Sequence, residues 1–254
     1  MKEIFKKLPE YDIAYLGDNA RAPYGDKSDE TIYDYTREAV DFLFEAGAEL
    51  IVLACHTASA KALRRIQQEH LPENHPGKRV LGVAVPLVEE AVKSEKNRRL
   101  GIIGTKATVE SHLYRKEIGK LRQDLEVIEQ ACPLLVPLIE EGWAGRPETN
   151  KILKRYLSPL KNKKVDALIL GCTHYPLLAK DLSRILGRRT AIINPATIVA
   201  EKLAGYLDRH PEIGQKISRR GARFYFTTDD EKKFRSLGEK FLKEKIKEVK
   251  KIRF

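Results

Sequence analysis

The stretch Ala48-Glu-Leu-Ile-Val-Leu-Ala-Cys55 decides the fold, because its pattern returns as Val165-Asp-Ala-Leu-Ile-Leu-Gly-Cys172. Each copy contains an acidic residue, an apolar run, a small residue and a cysteine, and a short apolar run of this kind is typical of a buried strand. Hydroxyl and imidazole side chains follow each cysteine, as Cys55-His-Thr57 and as Cys172-Thr-His174. The repeat predicts two related α/β halves.

Strand-like and helix-like segments alternate on both sides of this repeat. We predict strands at 12–16, 49–54, 79–85, 100–104, 126–131, 166–171, 191–193 and 223–227, the last near a sheet edge. We predict helices at 28–46, 58–70, 107–121, 150–161 and 175–186. Such alternation indicates mainly parallel sheets flanked by helices.

The predicted fold class is therefore α/β, with two pseudo-symmetric domains and the active site in the cleft between them. We expect residues 1–84 and 195–254 in the first domain and residues 85–194 in the second. Functional groups in open α/β sheets collect beyond the carboxyl ends of the strands. Both Cys55 and Cys172 fall at such ends.

Composition narrows the class of protein. The three cysteines of this 254-residue chain are an odd number, which predicts free thiols in a reducing compartment rather than a disulfide framework. No segment has the length or apolar content of a membrane span or a signal peptide, so we expect a cytoplasmic protein without a membrane partner. The net charge of +11 is concentrated partly in the lysine-rich segment 240–253, where glutamates interrupt the lysines. We interpret this segment as a solvated surface and expect no nucleic-acid partner.

Paired thiols at related strand ends favour racemisation at an α-carbon. That reaction removes a proton from one face and returns one to the other, so it needs a base and an acid on opposite sides. A helix start after each cysteine is expected to lower the pKa of its thiol, and His174 is a candidate hydrogen-bonding partner near Cys172.

Two other interpretations of the cysteines stay open. Free cysteines often end apolar strands simply as small buried residues, and we interpret Cys132 in this way. A zinc site made of Cys55, His56, Cys172 and His174 is the second alternative, although the close ligand spacings of known zinc sites are absent from this set.

Four blocks of the sequence resemble the glutamate racemase family of the aspartate/glutamate racemase superfamily. They are Tyr15-Leu-Gly-Asp-Asn-Ala-Arg-Ala-Pro-Tyr-Gly25, Ala54-Cys-His-Thr-Ala-Ser-Ala60, Cys132-Pro-Leu-Leu-Val-Pro-Leu-Ile-Glu-Glu-Gly142 and Gly171-Cys-Thr-His-Tyr-Pro-Leu-Leu178. The resemblance covers essentially the whole chain. It implies a racemase that interconverts L-glutamate and D-glutamate for peptidoglycan, with glutamate as its small-molecule ligand and without cofactor or metal. Homodimers are common in the family, so the resemblance is compatible with a homodimer.

The resemblance also implies roles for individual residues. The implied catalytic residues are Cys55, Cys172, His174 and Glu140, with Glu141 as a neighbouring candidate for the last role. The implied substrate-binding residues are Pro23, Tyr24, Gly25, His56, Thr57, Thr173 and His174.

The chain departs from the family pattern at two places. His56 stands where the family usually has asparagine, and a histidine is expected to titrate near neutral pH. The sequence also begins within the helix that follows the family's first strand, so that strand and its Asp-Ser motif are expected to be lacking. The alternative function is therefore a catalytically impaired or inactive relative that binds an acidic ligand or a partner.

Overall fold

A computed structural model describes residues 1–254, which form nine strands and fourteen α-helices. The strands are β1 Ile13–Gly17, β2 Leu50–Leu53, β3 Arg79–Gly82, β4 Arg99–Gly104, β5 Glu126–Ala131, β6 Ala167–Gly171, β7 Ala191–Ile193, β8 Arg223–Thr227 and β9 Lys250–Lys251. The helices are α1 Lys2–Lys7, α2 Asp29–Glu45, α3 His56–Lys61, α4 Leu63–Arg65, α5 Leu71–Asn74, α6 Ala84–Val92, α7 Lys106–Glu110, α8 Leu113–Leu121, α9 Leu135–Glu140, α10 Pro147–Asn162, α11 Ala179–Leu186, α12 Pro195–Arg209, α13 Pro211–Gly214 and α14 Glu231–Leu242. No helix combines the length and the apolar content that a membrane span requires.

The chain divides into two compact units. Unit 1 contains residues 1–52, 62–81 and 199–254, and unit 2 contains residues 53–61 and 82–198. The segment 53–61 thus belongs to unit 2, whereas the expected first domain ran without interruption from 1 to 84.

Unit 2 is built on a four-stranded parallel sheet in the order β5-β4-β6-β7. All five residues of the central strand β6 are buried, as expected for a parallel strand covered on both faces. Leu168 and Leu170 pack with α10 and α11 on one face, while Ala167 and Ile169 pack with α6 and α8 on the other. This alternation follows from the two-residue period of side chains along a strand.

Unit 1 contains two smaller sheets. Strand β8 lies between β1 and β9 in a three-stranded parallel sheet, and β2 pairs with β3 in a second sheet. The prediction that segment 223–227 lies at a sheet edge is therefore wrong, because Lys250 and Lys251 of the C-terminal tail pair with Phe226 and Thr227.

The predicted fold class is confirmed in that mainly parallel sheets are flanked by helices. Several predicted segments end or divide elsewhere than expected, among them the helix predicted at 107–121, which is divided into α7 and α8. The strand predicted at 79–85 stops at Gly82, since Ala84, Leu87 and Val88 are buried at helical spacing in α6. The helix predicted at 58–70 is divided into α3, α4 and a π-helical turn at Ile66–His70.

Candidate active site

The carboxyl edge of the unit 2 sheet gathers polar side chains. Cys172 follows β6 directly, and Thr105 follows β4. These two strands are hydrogen-bonded neighbours, so the residues after them share one edge. Cys55 reaches this unit with α3, whose Thr57 hydroxyl lies 2.9 Å from the Thr105 hydroxyl. Both cysteines of the repeat therefore belong to the same unit.

Cys172, His174 and Glu140 form a thiol, imidazole and carboxylate series. The Cys172 Sγ lies 3.8 Å from Nδ1 of His174, and Nε2 of His174 lies 3.1 Å from Oε1 of Glu140. A carboxylate only accepts hydrogen bonds, so Nε2 carries the proton and Nδ1 presents its lone pair to the thiol. Both Glu140 and Glu141 are exposed, and Glu140 at the end of α9 is the glutamate that contacts His174.

Burial has the largest effect on the pKa of the Cys172 thiol, since this residue is only 7% exposed. Desolvation raises the pKa of its thiol to about 12, and negative charges at Cys55 and Glu140 add to this increase. The backbone N–H groups of His174 and Tyr175 donate to the sulfur and lower the pKa by less. The expectation that a helix start would lower this pKa is therefore wrong in sign, because desolvation outweighs the amide donors.

Cys55 lies in a related but different environment. The residue is exposed to solvent, yet nearby protein atoms desolvate its sulfur and raise the pKa of the thiol. The N–H groups of Ala58 and Thr57 and the hydroxyl of Thr57 donate to the sulfur and oppose this increase. The charge of Cys55 also contributes to the pKa of Cys172, so the two thiols share one electrostatic environment.

Three threonine hydroxyls form a triangle beside Cys55. The Oγ1 atoms of Thr57 and Thr108 are 3.2 Å apart, and those of Thr105 and Thr108 are 3.0 Å apart. Each hydroxyl can donate once and accept from others, so the triangle fixes the Thr57 hydroxyl next to the thiol. The sequence prediction missed Thr105 and Thr108, although their position directly after the predicted strand at 100–104 is a signal that could have found them.

His56 points into the interior of unit 2. It is 3% exposed, and its Nδ1 lies 2.6 Å from the hydroxyl of Tyr114, which is 1% exposed. Burial lowers the pKa of His56 to about 3 and raises that of Tyr114. The expectation that His56 titrates near neutral pH is therefore wrong, because the imidazole is held neutral inside the protein. Tyr114 was not predicted, and its distance of 58 residues from His56 left no local signal.

The remaining predicted residues occupy different units. Thr173 is exposed in unit 2, and its Oγ1 lies 3.4 Å from Nδ1 of His174. Pro23, Tyr24 and Gly25 lie in unit 1, on the loop before α2. There the hydroxyl of Tyr24 donates to Asp18, which fixes the tyrosine within its own unit.

The zinc site considered from sequence does not assemble. His56 is engaged by Tyr114, and the four residues of that proposed set are not among the clusters with metal-ligand geometry. Cys132 is fully buried in a core cluster of unit 2, where its thiol donates to the carbonyl of Gln130 at 3.6 Å.

This arrangement is suited to acid and base chemistry. One unit holds both cysteines of the repeat, and the thiol of Cys172 faces an imidazole whose tautomer is fixed by a carboxylate. Such a set can hold a proton on sulfur and move it to nitrogen.

Comparisons with known proteins identify the family of this chain. The chain belongs to the Asp/Glu/Hydantoin racemase family, whose model matches residues 1–203. The predicted resemblance and the enzyme class, a racemase, are thereby confirmed.

Individual relatives extend the match over almost the whole chain. A glutamate racemase from Geobacter metallireducens is 39% identical over 250 residues, covering 98% of this chain and 90% of the relative. One from Streptococcus pneumoniae is 38% identical over 249 residues, covering 97% of this chain and 90% of the relative. The crystal structure of glutamate racemase from Francisella tularensis in complex with D-glutamate superposes with a TM-score of 0.88 at 31% identity, covering 99% of this chain and 91% of that one.

Proposed function

We propose that this chain interconverts L-glutamate and D-glutamate without a cofactor, using Cys55 and Cys172 as the acid and the base. The observation that carries the proposal is the placement of both repeated cysteines in one unit, with Cys172 next to the His174–Glu140 pair. Relatives similar over nearly their full length are glutamate racemases, which supports glutamate as the substrate.

His174 activates Cys172 in this proposal. The thiol proton passes from Sγ to Nδ1 of His174, which leaves a thiolate and an imidazolium. Glu140 accepts a hydrogen bond from Nε2 of that imidazolium and stabilises its positive charge. The thiolate then removes the α-proton of the substrate, and the electron pair of the broken C–H bond stays on the α-carbon.

Cys55 completes the exchange by donating its thiol proton to the opposite face of that carbon. The thiolate that forms is stabilised by the N–H groups of Thr57 and Ala58 and by the Thr57 hydroxyl. The reverse reaction exchanges the two roles, so the enzyme needs one thiol and one thiolate in either direction. The two cysteines are chemically unequal, because only Cys172 has an imidazole partner.

The proposed substrate has two carboxylates and one ammonium group, so it needs polar donors and acceptors around the reacting carbon. We infer that the substrate-binding residues are those that the family resemblance implies: Thr57, Thr173, His174, Pro23, Tyr24 and Gly25. His56 would support Thr57 through the backbone, since its own ring bonds Tyr114. We further infer a cytoplasmic enzyme, with a homodimer as its assembly, that supplies D-glutamate for peptidoglycan.

Exchange of the α-proton of L-glutamate in deuterated water, followed by NMR, tests this proposal. Cys55→Ala and Cys172→Ala should each lower the rate of racemisation by about 10²-fold or more, the range for loss of a general acid or base. Cys132→Ala is the matched control, since it removes a thiol that the proposal does not use. A folded wild-type chain without exchange would contradict the activity, whereas racemisation that survives either thiol substitution would contradict the mechanism.

A further inference from the structure

Three side chains in unit 1 converge outside the candidate active site. The Oδ1 atom of Asp41 lies 2.5 Å from Nε2 of His70 and 2.7 Å from Nε2 of His75. The three atoms all lie within 4.8 Å of one another. The side chains are 26%, 9% and 17% exposed in the same order, so the cluster is half-buried but open to small solutes.

The local backbone is specialised at this cluster. Residues Ile66–His70 form a π-helical turn, in which the N–H of Leu71 donates to the carbonyl of Ile66 five residues earlier. Such turns are rare and occur frequently at functional sites. His75 follows at the end of α5 with non-helical backbone angles, so a turn and a helix end bring both imidazoles to one carboxylate of α2.

The chemistry of the three groups matches a transition metal. Two imidazoles and one carboxylate suit zinc and related ions, and the four residues between His70 and His75 fall within the spacing of known zinc ligands. Tetrahedral zinc would hold its ligand atoms about 3.3 Å apart, which small side-chain rotations can reach from the observed hydrogen bonds.

A second layer of contacts is also present. The Nδ2 atom of Asn74 lies 3.2 Å from Nδ1 of His70. Metal binding through Nε2 would move the ring proton to Nδ1, and a rotated Asn74 amide would then accept it through its oxygen. The ring of His75 packs against Phe44 at 4.8 Å, which restricts its orientation.

We propose that Asp41, His70 and His75 bind one divalent transition-metal ion, best fitted by Zn²⁺, which links α2 to the segment 66–75. The remaining coordination position is filled by water. The site is separate from the thiol chemistry, because it lies in unit 1 and uses neither cysteine of the repeat. Loss of the ion would free the connection between β2 and β3.

Equilibrium dialysis of the full chain against Zn²⁺ alone tests this site. The wild type should bind one more ion per chain than His75→Gln and Asp41→Asn, two variants that keep the size and polarity of the side chains. His210→Ala, which removes a half-exposed histidine of the same unit that pairs with Glu212, should bind as the wild type does. All four chains keep the three cysteines, so zinc bound by thiols cancels in the comparison. Circular dichroism verifies that each variant is folded.

Replacing Zn²⁺ with Co²⁺ distinguishes the ligands directly. The Co²⁺ ion that the wild type binds and His75→Gln does not should show visible absorption typical of nitrogen and oxygen ligands. It should show no thiolate charge-transfer bands. Asn74→Leu should weaken its binding by about tenfold, because the second-layer acceptor is removed. Equal zinc uptake by the wild type, His75→Gln and Asp41→Asn would overturn the proposal and leave a hydrogen-bonded cluster only. Equal binding of Mg²⁺ would overturn the assignment to a transition metal.

Discussion

The buried imidazole of His56 makes the stability of the protein depend on pH in a calculable way. In the folded chain burial lowers the pKa of His56 to about 3, while the unfolded chain has the ordinary value of about 6.5. Between these values the unfolded state binds more protons. The contribution of His56 to the free energy of unfolding is therefore complete above pH 6.5, and it is lost as the pH falls towards 3.

The expected magnitude at pH 5 follows from the unfolded state. There the folded imidazole is still neutral, whereas an unfolded histidine is mostly protonated. The free energy of unfolding should then be lower by about 2 kcal/mol than at neutral pH through His56 alone. At pH 3 the same linkage reaches about 4 to 5 kcal/mol.

Urea titrations at pH 7 and pH 5 measure this effect as a double difference. His56→Asn keeps a group that can accept from the Tyr114 hydroxyl but cannot titrate, so its loss of stability between the two pH values should be about 2 kcal/mol smaller than that of the wild type. The control is His112→Asn, which removes a histidine whose side chain is 56% exposed. In this variant the contribution of His56 to the loss of stability between pH 7 and pH 5 should be the same as in the wild type. Equal losses in the wild type and His56→Asn would refute the reasoning.

Two further predictions concern the neighbours of Cys172. Glu140→Gln should lower kcat by about tenfold with little change in KM, because a neutral amide stabilises the imidazolium of His174 less than a carboxylate does. Steady-state kinetics should show no such loss for the control variant Glu141→Gln. Equal effects of the two substitutions would contradict the proposed role of Glu140. Gly171→Ala should lower the free energy of unfolding by about 1 to 3 kcal/mol, since its Cβ would lie 2.8 Å from the carbonyl oxygen of Ile103. Gly119→Ala, where an added Cβ meets nothing within 4 Å, should instead stabilise the protein by about 0.5 to 1 kcal/mol, as chemical unfolding can verify.

The alternation of strands and helices could be predicted because it is local. The acidic residue of the second repeat copy, Asp166, precedes β6 and connects it to the neighbouring strand β4. Its Oδ2 accepts hydrogen bonds from the N–H groups of Arg98 and Arg99 at the start of β4. The position of β8 could not be predicted, because its second neighbour is a two-residue strand of lysines, Lys250–Lys251, without an apolar pattern. The π-helical turn was equally hidden, as its sequence has ordinary helix-forming residues.

The residue pattern alone selects candidates only next to strand ends, whereas Glu140, at the end of α9, was selected through the family resemblance. Cys55, Cys172 and His174 stand in the repeat, so their residue types and spacing were sufficient to select them. The direction in which the thiol pKa values shift could not be predicted from the sequence, because desolvation depends on residues distant in sequence. For the same reason the burial of His56 against Tyr114 became visible only in three dimensions.

The raised pKa of Cys172 has a consequence for chemical damage. Thiolates, not thiols, react with peroxides and alkylating agents. Because burial raises the pKa of this thiol far above neutral, Cys172 is almost entirely in the thiol form at pH 7 in the absence of substrate. The resting protein should therefore resist oxidants and electrophiles at this sulfur, and should become sensitive to them during turnover, when the proposed mechanism passes the thiol proton to His174.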